Sequence, residues 1–315
     1  PTDCYSQTTY IRPQADTLGF PKNPEQLNIS SKRILVMYQE RIHQIWQKNN
    51  VTQTTEWKAV ICPHDDYVYS GFQYHQVLNN VKAPLLIMIG VAHKAKKFRL
   101  EDKIVFESYT HWASPSGTIP ISPLRNKIIE RLPPDTYVID NGIHEIENSL
   151  EGIIPVLQYY NVNRTIIPIL IPFMSADRMD ECVKPLARIL SELLEEQGLV
   201  SGKDYSIIIS TDAVHYGDEE WGKKNFAFFG ADTAGYLKAV AFERKMIKEC
   251  LEGPVAKNKI QKFISYTVES KDYKQYKWTW CGRYSVPFGL LLLYYMECEK
   301  KPYPPGGIWL DYSTS

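Results

Sequence analysis

Four short runs of this 315-residue chain are apolar almost without interruption: Trp57–Cys62, Leu85–Gly90, Thr165–Ile171 and Tyr205–Ser210. A strand with one wet face alternates apolar and polar residues, whereas a continuous run has to be covered on both faces. Two further strands are predicted at Lys103–Tyr109 and Tyr137–Ile139. Between the strands lie segments with helical spacing. Arg33–Lys48 carries Ile34, Leu35, Tyr38, Ile42, Ile45 and Trp46 on one face. Gly71–Asn80, Pro123–Arg131, Glu147–Tyr160, Phe226–Leu251 and Ser285–Cys298 follow the same logic. So does Asp177–Gln197, with Ser175 as its N-cap, and Gln261–Phe263 reads as helix continuation. This alternation predicts an α/β fold, a central, mostly parallel or mixed twisted sheet with helices on both faces. Linkers, repeats and low-complexity stretches are lacking, so a single domain is expected over 34–315. Residues 1–33, rich in proline and polar groups, read as an irregular arm, and the tail Lys301–Ser315 as a surface strap.

The strands run into unusual residues. Lys58–Cys62 leads into Pro63-His64-Asp65-Asp66, and Leu85–Gly90 into Val91-Ala92-His93. Tyr205–Ser210 leads into Thr211-Asp212-Ala213-Val214-His215, and Trp280-Cys281-Gly282-Arg283 precedes the last helix. Parallel strands deliver such residues to one carboxyl edge, where open α/β proteins build their sites. Imidazole and thiolate are the ligands that borderline transition metals prefer. A metal site at that edge is therefore predicted.

Each candidate also has a plainer reading. A lone histidine such as His64 usually caps the next helix, and His93, beside Lys94, Lys96 and Lys97, fits a solvated loop equally well. Cys281 alone reads as a small buried apolar residue, although the charge of Arg283 nearby favours thiolate. In His144-Glu145-Ile146-Glu147-Asn148-Ser149-Leu150-Glu151, capping accounts for Ser149 and Glu151 but not for His144. Asp212 and His215 fit a hydrogen-bonded turn, or a general base oriented by an acid. His43 and His75 read as structural, and His111 reads either way. Convergence on one sheet edge is what tips the balance toward function.

Lysine plus arginine equals aspartate plus glutamate, 36 each. That balance removes the electrostatic reason to expect nucleic acid or an anionic membrane as partner. No apolar run approaches the roughly 20 residues of a membrane helix, so a soluble protein is expected. The six cysteines form no Cys-x-x-Cys pair. They read as reduced thiols in a cytoplasmic protein, with Cys4, Cys182, Cys250 and Cys298 structural. The chain opens at Pro1 rather than Met, which leaves a removed upstream segment, a signal peptide included, among the expectations. Gly-x-Ser-x-Gly, Walker, dinucleotide-binding and His-Glu-x-x-His signatures are all missing.

Six motifs in order resemble the Memo family: Pro-His-Asp-Asp-Tyr-Val-Tyr-Ser-Gly, Ile-Gly-Val-Ala-His, Ser-Pro-Ser-Gly-Thr-Ile-Pro, His-Glu-Ile-Glu-Asn-Ser-Leu-Glu, Ser-Thr-Asp-Ala-Val-His-Tyr-Gly and Cys-Gly-Arg. They span about residues 57–298. That family is similar in fold to the class III extradiol ring-cleaving dioxygenases. The resemblance implies a single α/β domain holding one metal ion on His64, His93 and Cys281. It matches His215 to the dioxygenases' catalytic base, with Asp212 beside it, and leaves His144 and Glu147 to shape the pocket. Those dioxygenases carry a carboxylate where Cys281 stands, completing the facial triad of non-haem Fe(II) enzymes. A thiolate softens the site and admits copper or zinc beside Fe(II).

Two positions depart from the family pattern: Asn148 stands where the family usually has histidine, and Asp66 where it usually has glycine. The expected function is a metal-dependent, dioxygenase-like oxidoreductase acting on a small molecule. Two alternatives stand beside it. One is a non-enzymatic protein using the same cleft for a metal and a peptide; the other is a metal-dependent hydrolase. No oligomeric state is indicated.

Overall fold

Six strands form one mixed sheet: β1 (Ala59–Cys62), β2 (Leu85–Val91), β3 (Ile104–Phe106), β4 (Tyr137–Ile139), β5 (Thr165–Ile171) and β6 (Tyr205–Ser210), in the order β1-β6-β2-β5-β3-β4. The structure, a computed structural model, describes residues 9–16, 18–217, 226–298 and 304–314. Cys4 and parts of the arm and tail lie outside them. Strands β1, β6, β2 and β5 are mutually parallel, with Cys62 opposite Ser210 and Gly90 opposite Leu170. Strand β3 meets β5 antiparallel at Val105 and Leu170, and β4 runs parallel to β3.

The continuous apolar runs are explained by the two cores they separate. Leu85, Ile87 and Ile89 of β2 point into one, with Ile167, Ile169, Ile207 and Ile209; Leu86 and Met88 point into the other, with Ile166, Leu170 and Ile208. The helices are α1 (Pro24–Lys48), α2 (Tyr67–Leu78), α3 (Leu124–Arg131), α4 (Asn141–Ile146), α5 (Ile153–Tyr160), α6 (Ala176–Glu196), α7 (Thr233–Cys250), α8 (Lys257–Thr267) and α9 (Ser285–Leu293), apart from a single turn at Ala95–Phe98. Helices α6 and α9 cover the first face, and α2 and α5 the second. Helix α9 is buried along its whole length, which is why its sequence is apolar all round. Each fully buried leucine contributes about 1.5–3 kcal/mol there. The helix passes into a π-helical turn at Tyr294–Cys298.

Three local expectations are corrected. Helix α1 starts at Pro24, well before Arg33. Asn23 accepts from the Gln26 N–H at 2.9 Å, and Pro24 occupies the first turn, where its missing N–H costs nothing. The helix expected over Glu147–Tyr160 is broken, because Glu147 is extended and separates α4 from α5. The turn-rich segment after Tyr109 is a hairpin, His111–Ser114 with Gly117–Pro120, whose turn uses Gly117 at φ +109°. Ile11–Arg12 adds to its edge as a parallel strand.

Candidate metal centre

Because β1, β6 and β2 are neighbours and parallel, the residues after them emerge side by side. His64 follows β1, Asp212 and His215 follow β6, and His93 follows β2. Cys281 arrives from the other direction, in the turn before α9. Gly282 seats that turn: its N–H donates to Thr211 Oγ1 at 3.0 Å, and a Cβ there would overlap the Thr211 side chain. One ligand atom each from His64, His93 and Cys281 lies within 4.8 Å of the others, and Asp212, His215 and Cys281 form a second such set sharing the thiol. Cys281 Sγ is 3.5 Å from His64 Nε2 and accepts from the Asp212 N–H at 3.1 Å. The two imidazoles stand edge to face, centroids 5.1 Å apart.

The hydrogen bonds behind the imidazoles choose their tautomers. Ser210 Oγ donates to the Ser149 carbonyl, so it must accept from the His64 Nδ1–H, 2.7 Å away. On His93, Nδ1–H donates to Glu147 Oε1 at 2.8 Å, while its backbone N–H donates to Glu147 Oε2 at 2.7 Å. Both rings therefore turn Nε2 toward the site, where that of His64 meets the thiol and Asp212 Oδ2, with Nδ1 anchored as metal-binding histidines require. The break in the helix before α5 now has a reason. It swings the Glu147 carboxylate over His93, where it also accepts the N–H groups of Asn148 and Ser149 at 3.1 and 3.0 Å.

Electrostatics follow from these contacts. Burial would raise the Cys281 thiol, but the charge of His64 and hydrogen bonds from His215, His64 and His93 outweigh it and hold the thiol well below its ordinary range. Burial would lower His93; its bonds to Cys281 and Glu147 push it up to about 10 instead. Glu147, though buried, is lowered, chiefly by His93. Two imidazoles and a thiolate from separate segments are a donor set that suits a borderline cation.

Several roles shift from expectation. Asp212 turns to His64: Oδ1 accepts its backbone N–H at 2.9 Å, and Oδ2 lies 3.1 Å from Nε2. His215 makes a side-chain hydrogen bond with Cys281. Asp65 accepts from the Asp66 N–H; the anchors of the imidazoles are Ser210 and Glu147. His144 does not reach the cluster. It is fully buried against Trp112, its Nε2 donates to the Val105 carbonyl at 3.1 Å, and burial pulls it down to about 3. Its helix, α4, aims it inward beneath β3.

Sequence reading missed Arg12. Its guanidinium is wholly buried over Trp112 and donates to the carbonyls of His144 at 2.5 Å and Glu147 at 2.7 Å, and to Glu151 Oε2 at 2.7 Å. The arm is thereby tied to the segment that holds His93. Both departures from the family pattern touch the same arm. Asn148 Nδ2 donates to Asp16 Oδ2 at 3.0 Å, and the Asp66 carboxyl fills the space beside Gly19, where a Cβ would stand. A cavity of about 830 Å³ opens beside the centre, with Pro63, Tyr69, Asp212, His215, Trp280 and Tyr312 among its walls, a volume suited to a small molecule.

No helix among the described residues is long and apolar enough to cross a membrane. A family model described as Memo-like protein matches residues 35–315. Similar curated proteins include a MEMO1 family protein of Aquifex aeolicus, 32% identical over 172 residues, covering 53% of this chain and 57% of that protein. Another, from Methanothermobacter thermautotrophicus, is 25% identical over 169 residues, covering 52% of this chain and 56% of its own length. A third, from Pyrococcus horikoshii, is 26% identical over 164 residues, 50% of this chain and 53% of its own. The matched region thus spans a little over half the length of these relatives. With nearly the whole chain inside the family model and the motif residues gathered at one sheet edge, this chain belongs to the Memo-like protein family.

Proposed function

We propose that the chain is a metal-dependent oxidoreductase of dioxygenase-like type, with His64, His93 and Cys281 as ligands of Fe(II), or of copper or zinc in its place. The observation that carries this reading is geometric. Three donor atoms from three separate turns lie within 4.8 Å of one another, and both imidazoles have Nδ1 anchored elsewhere. When bound, Fe(II) or copper supplies Lewis acidity and one-electron chemistry at that point.

The chain's own residues do the remainder. Ser210 and Glu147 fix the ring planes of His64 and His93. Asp212 holds the backbone of His64 in place. His215, in contact with the thiol and facing the cavity, takes or gives a proton to a substrate lying there. The aromatic walls exclude water from that substrate and orient it.

Anaerobic loading with Fe(II), Cu(I) or Zn(II), followed by metal analysis, tests the ligand set. One ion per chain is expected in the wild type, with loss in His64→Ala, His93→Ala and Cys281→Ala. His215→Ala should keep the ion while lowering O2 uptake with a catechol panel by about 10²–10⁴-fold, the usual cost of removing a general base. Full metal content in Cys281→Ala would overturn the ligand set, and an empty His215→Ala protein would make His215 a ligand.

A further inference from the structure

The turn carrying His215 and the turn carrying Cys281 lie against each other as a short antiparallel pair. Val214 bridges Trp280, the His215 N–H donates to the Thr279 carbonyl at 3.1 Å, and Thr279 Oγ1 donates to the His215 carbonyl at 2.6 Å. Glu243, on helix α7, is driven into the end of this pair and is wholly buried. Its Oε2 accepts from the Val214 N–H at 3.2 Å and from Trp280 Nε1 at 2.9 Å; its Oε1 accepts from Trp280 Nε1 at 2.8 Å and from Trp278 Nε1. One carboxylate therefore gathers N–H groups from both turns, each next to or near a residue of the site. The indoles cannot swing away, since Phe242 packs on Trp278 at 4.6 Å and Phe263 on Trp280 at 5.2 Å.

No lysine or arginine forms an ion pair with Glu243 among the described residues. The charge of His215 acts on it through space, but a buried carboxylate without a direct ion pair is still costly. If the turns needed only packing, an apolar side chain would serve at lower cost. What a carboxylate does and an apolar residue cannot is accept three N–H groups at once, at fixed spacing.

We infer that Glu243 is a positioning residue that sets the spacing of His215 against Cys281 by holding Val214 and the two indoles together. The inference rests on the proposed roles of Cys281 and His215, but its geometry does not depend on which ion they serve. Glutamine at 243 keeps the shape with one acceptor oxygen in place of two, so the Val214 and indole N–H groups compete for it. Leucine removes both.

The test uses the full chain with two readouts. In metal-free protein, amide hydrogen exchange at Val214 and His215 should rise about fivefold in Glu243→Gln, as expected for loss of one buried hydrogen bond, while Ile207–Ile209 of β6 stay protected. In Co(II) titrations, Glu243→Gln should bind about 10–100-fold more weakly than wild type, the usual effect of removing a residue that orients a ligand, and with a weaker thiolate-to-cobalt absorption band. Should Glu243→Leu fail to fold, Glu243→Gln decides. Exchange that rises equally throughout the sheet, or not at all, would make Glu243 a packing residue and overturn the inference. An unchanged Co(II) affinity and band would do the same. If wild type itself takes up no Co(II), the metal reading fails, and the exchange pattern alone settles Glu243.

Discussion

Glu147 and Glu243 are the same residue type, both buried, and their carboxyls are shifted in opposite directions. Glu147 meets His93 through both oxygens, together with two backbone N–H groups, and is lowered below the ordinary carboxylate range. Glu243 meets two indoles and one backbone N–H, and burial pushes it up to about 7. Each has at least three N–H donors, so the number of hydrogen bonds does not separate them. The direct ion pair does: His93 hydrogen-bonds Glu147, whereas the charge of His215 acts on Glu243 without one. The half of the site built by His64, His93 and the arm is an ionic structure; the half built by Trp278–Cys281 and the His215 turn is held by neutral donors around a carboxyl poised between two states.

The largest effect expected from this contrast is in Glu147→Gln against Glu243→Gln. Removing the charge of Glu147 leaves His93 facing an amide; breaking a fully buried pair from one side costs about 3–5 kcal/mol, and the partial exposure of the His93 ring brings this to about 2–3 kcal/mol. The same change at Glu243 strands no cation, so the cost should stay within about 1 kcal/mol at pH 7. Urea unfolding of both variants measures the difference. Equal losses would end the division of the site into an ionic and a neutral half.

A second prediction uses pH. Because Glu243 is raised in the folded chain, from 4.5 to about 7, the folded state holds a proton that the unfolded state releases. Its contribution is fully present below pH 4.5, falls as pH rises through 7, and then levels off. The span corresponds to about 3 kcal/mol at most. His75 and His144 have the opposite sign. They are lowered by burial to about 4 and about 3, so they cost stability as pH falls below 6.5. The wild-type curve mixes these three with other shifted groups, Glu107 among them, which burial also raises to about 7. Subtracting the curve of Glu243→Gln isolates the carboxyl, and the difference should decline between pH 4.5 and 7. A flat difference would mean that Glu243 stays ionised, like Glu147.

The sheet was legible because runs such as Leu85–Gly90 and Tyr205–Ser210 have only one way to be buried, and their ends carried the histidines to one edge. The start of α1 was less so: Leu27 and Ile29 alone give residues 24–32 a weak apolar stripe, and the Asn23-Pro24 start signal was the only clue. The gathering of His64, His93 and Cys281 followed from strand ends and from resemblance together. Their supports did not follow. Ser210 is a single polar residue closing an apolar strand, Glu147 looks like a helix-start acid, and Glu243 sits in an ordinary amphipathic helix. Arg12 lies in a segment with no pattern at all. Which buried polar group meets which is decided by tertiary register, and local sequence carries no record of it.

The smallest expected effect separates the arm's two grips on the ionic half. Arg12 holds the main chain of the segment at the Glu147 carbonyl, whereas Asn148 holds only the arm, through its side chain on Asp16. The Asn148 group that touches Glu147 is its backbone N–H, which a side-chain substitution leaves in place. Asn148→Ala should therefore cost about 1 kcal/mol, the worth of one half-buried hydrogen bond, and leave Co(II) affinity within about twofold, well short of the loss that follows when a group orienting a ligand is removed. Thermal unfolding and Co(II) titration of the same sample measure both. A marked loss of Co(II) affinity would show that the Asp16 contact positions Glu147 after all, and the ionic half would then extend through the arm as one unit, with Arg12 only its best-buried member.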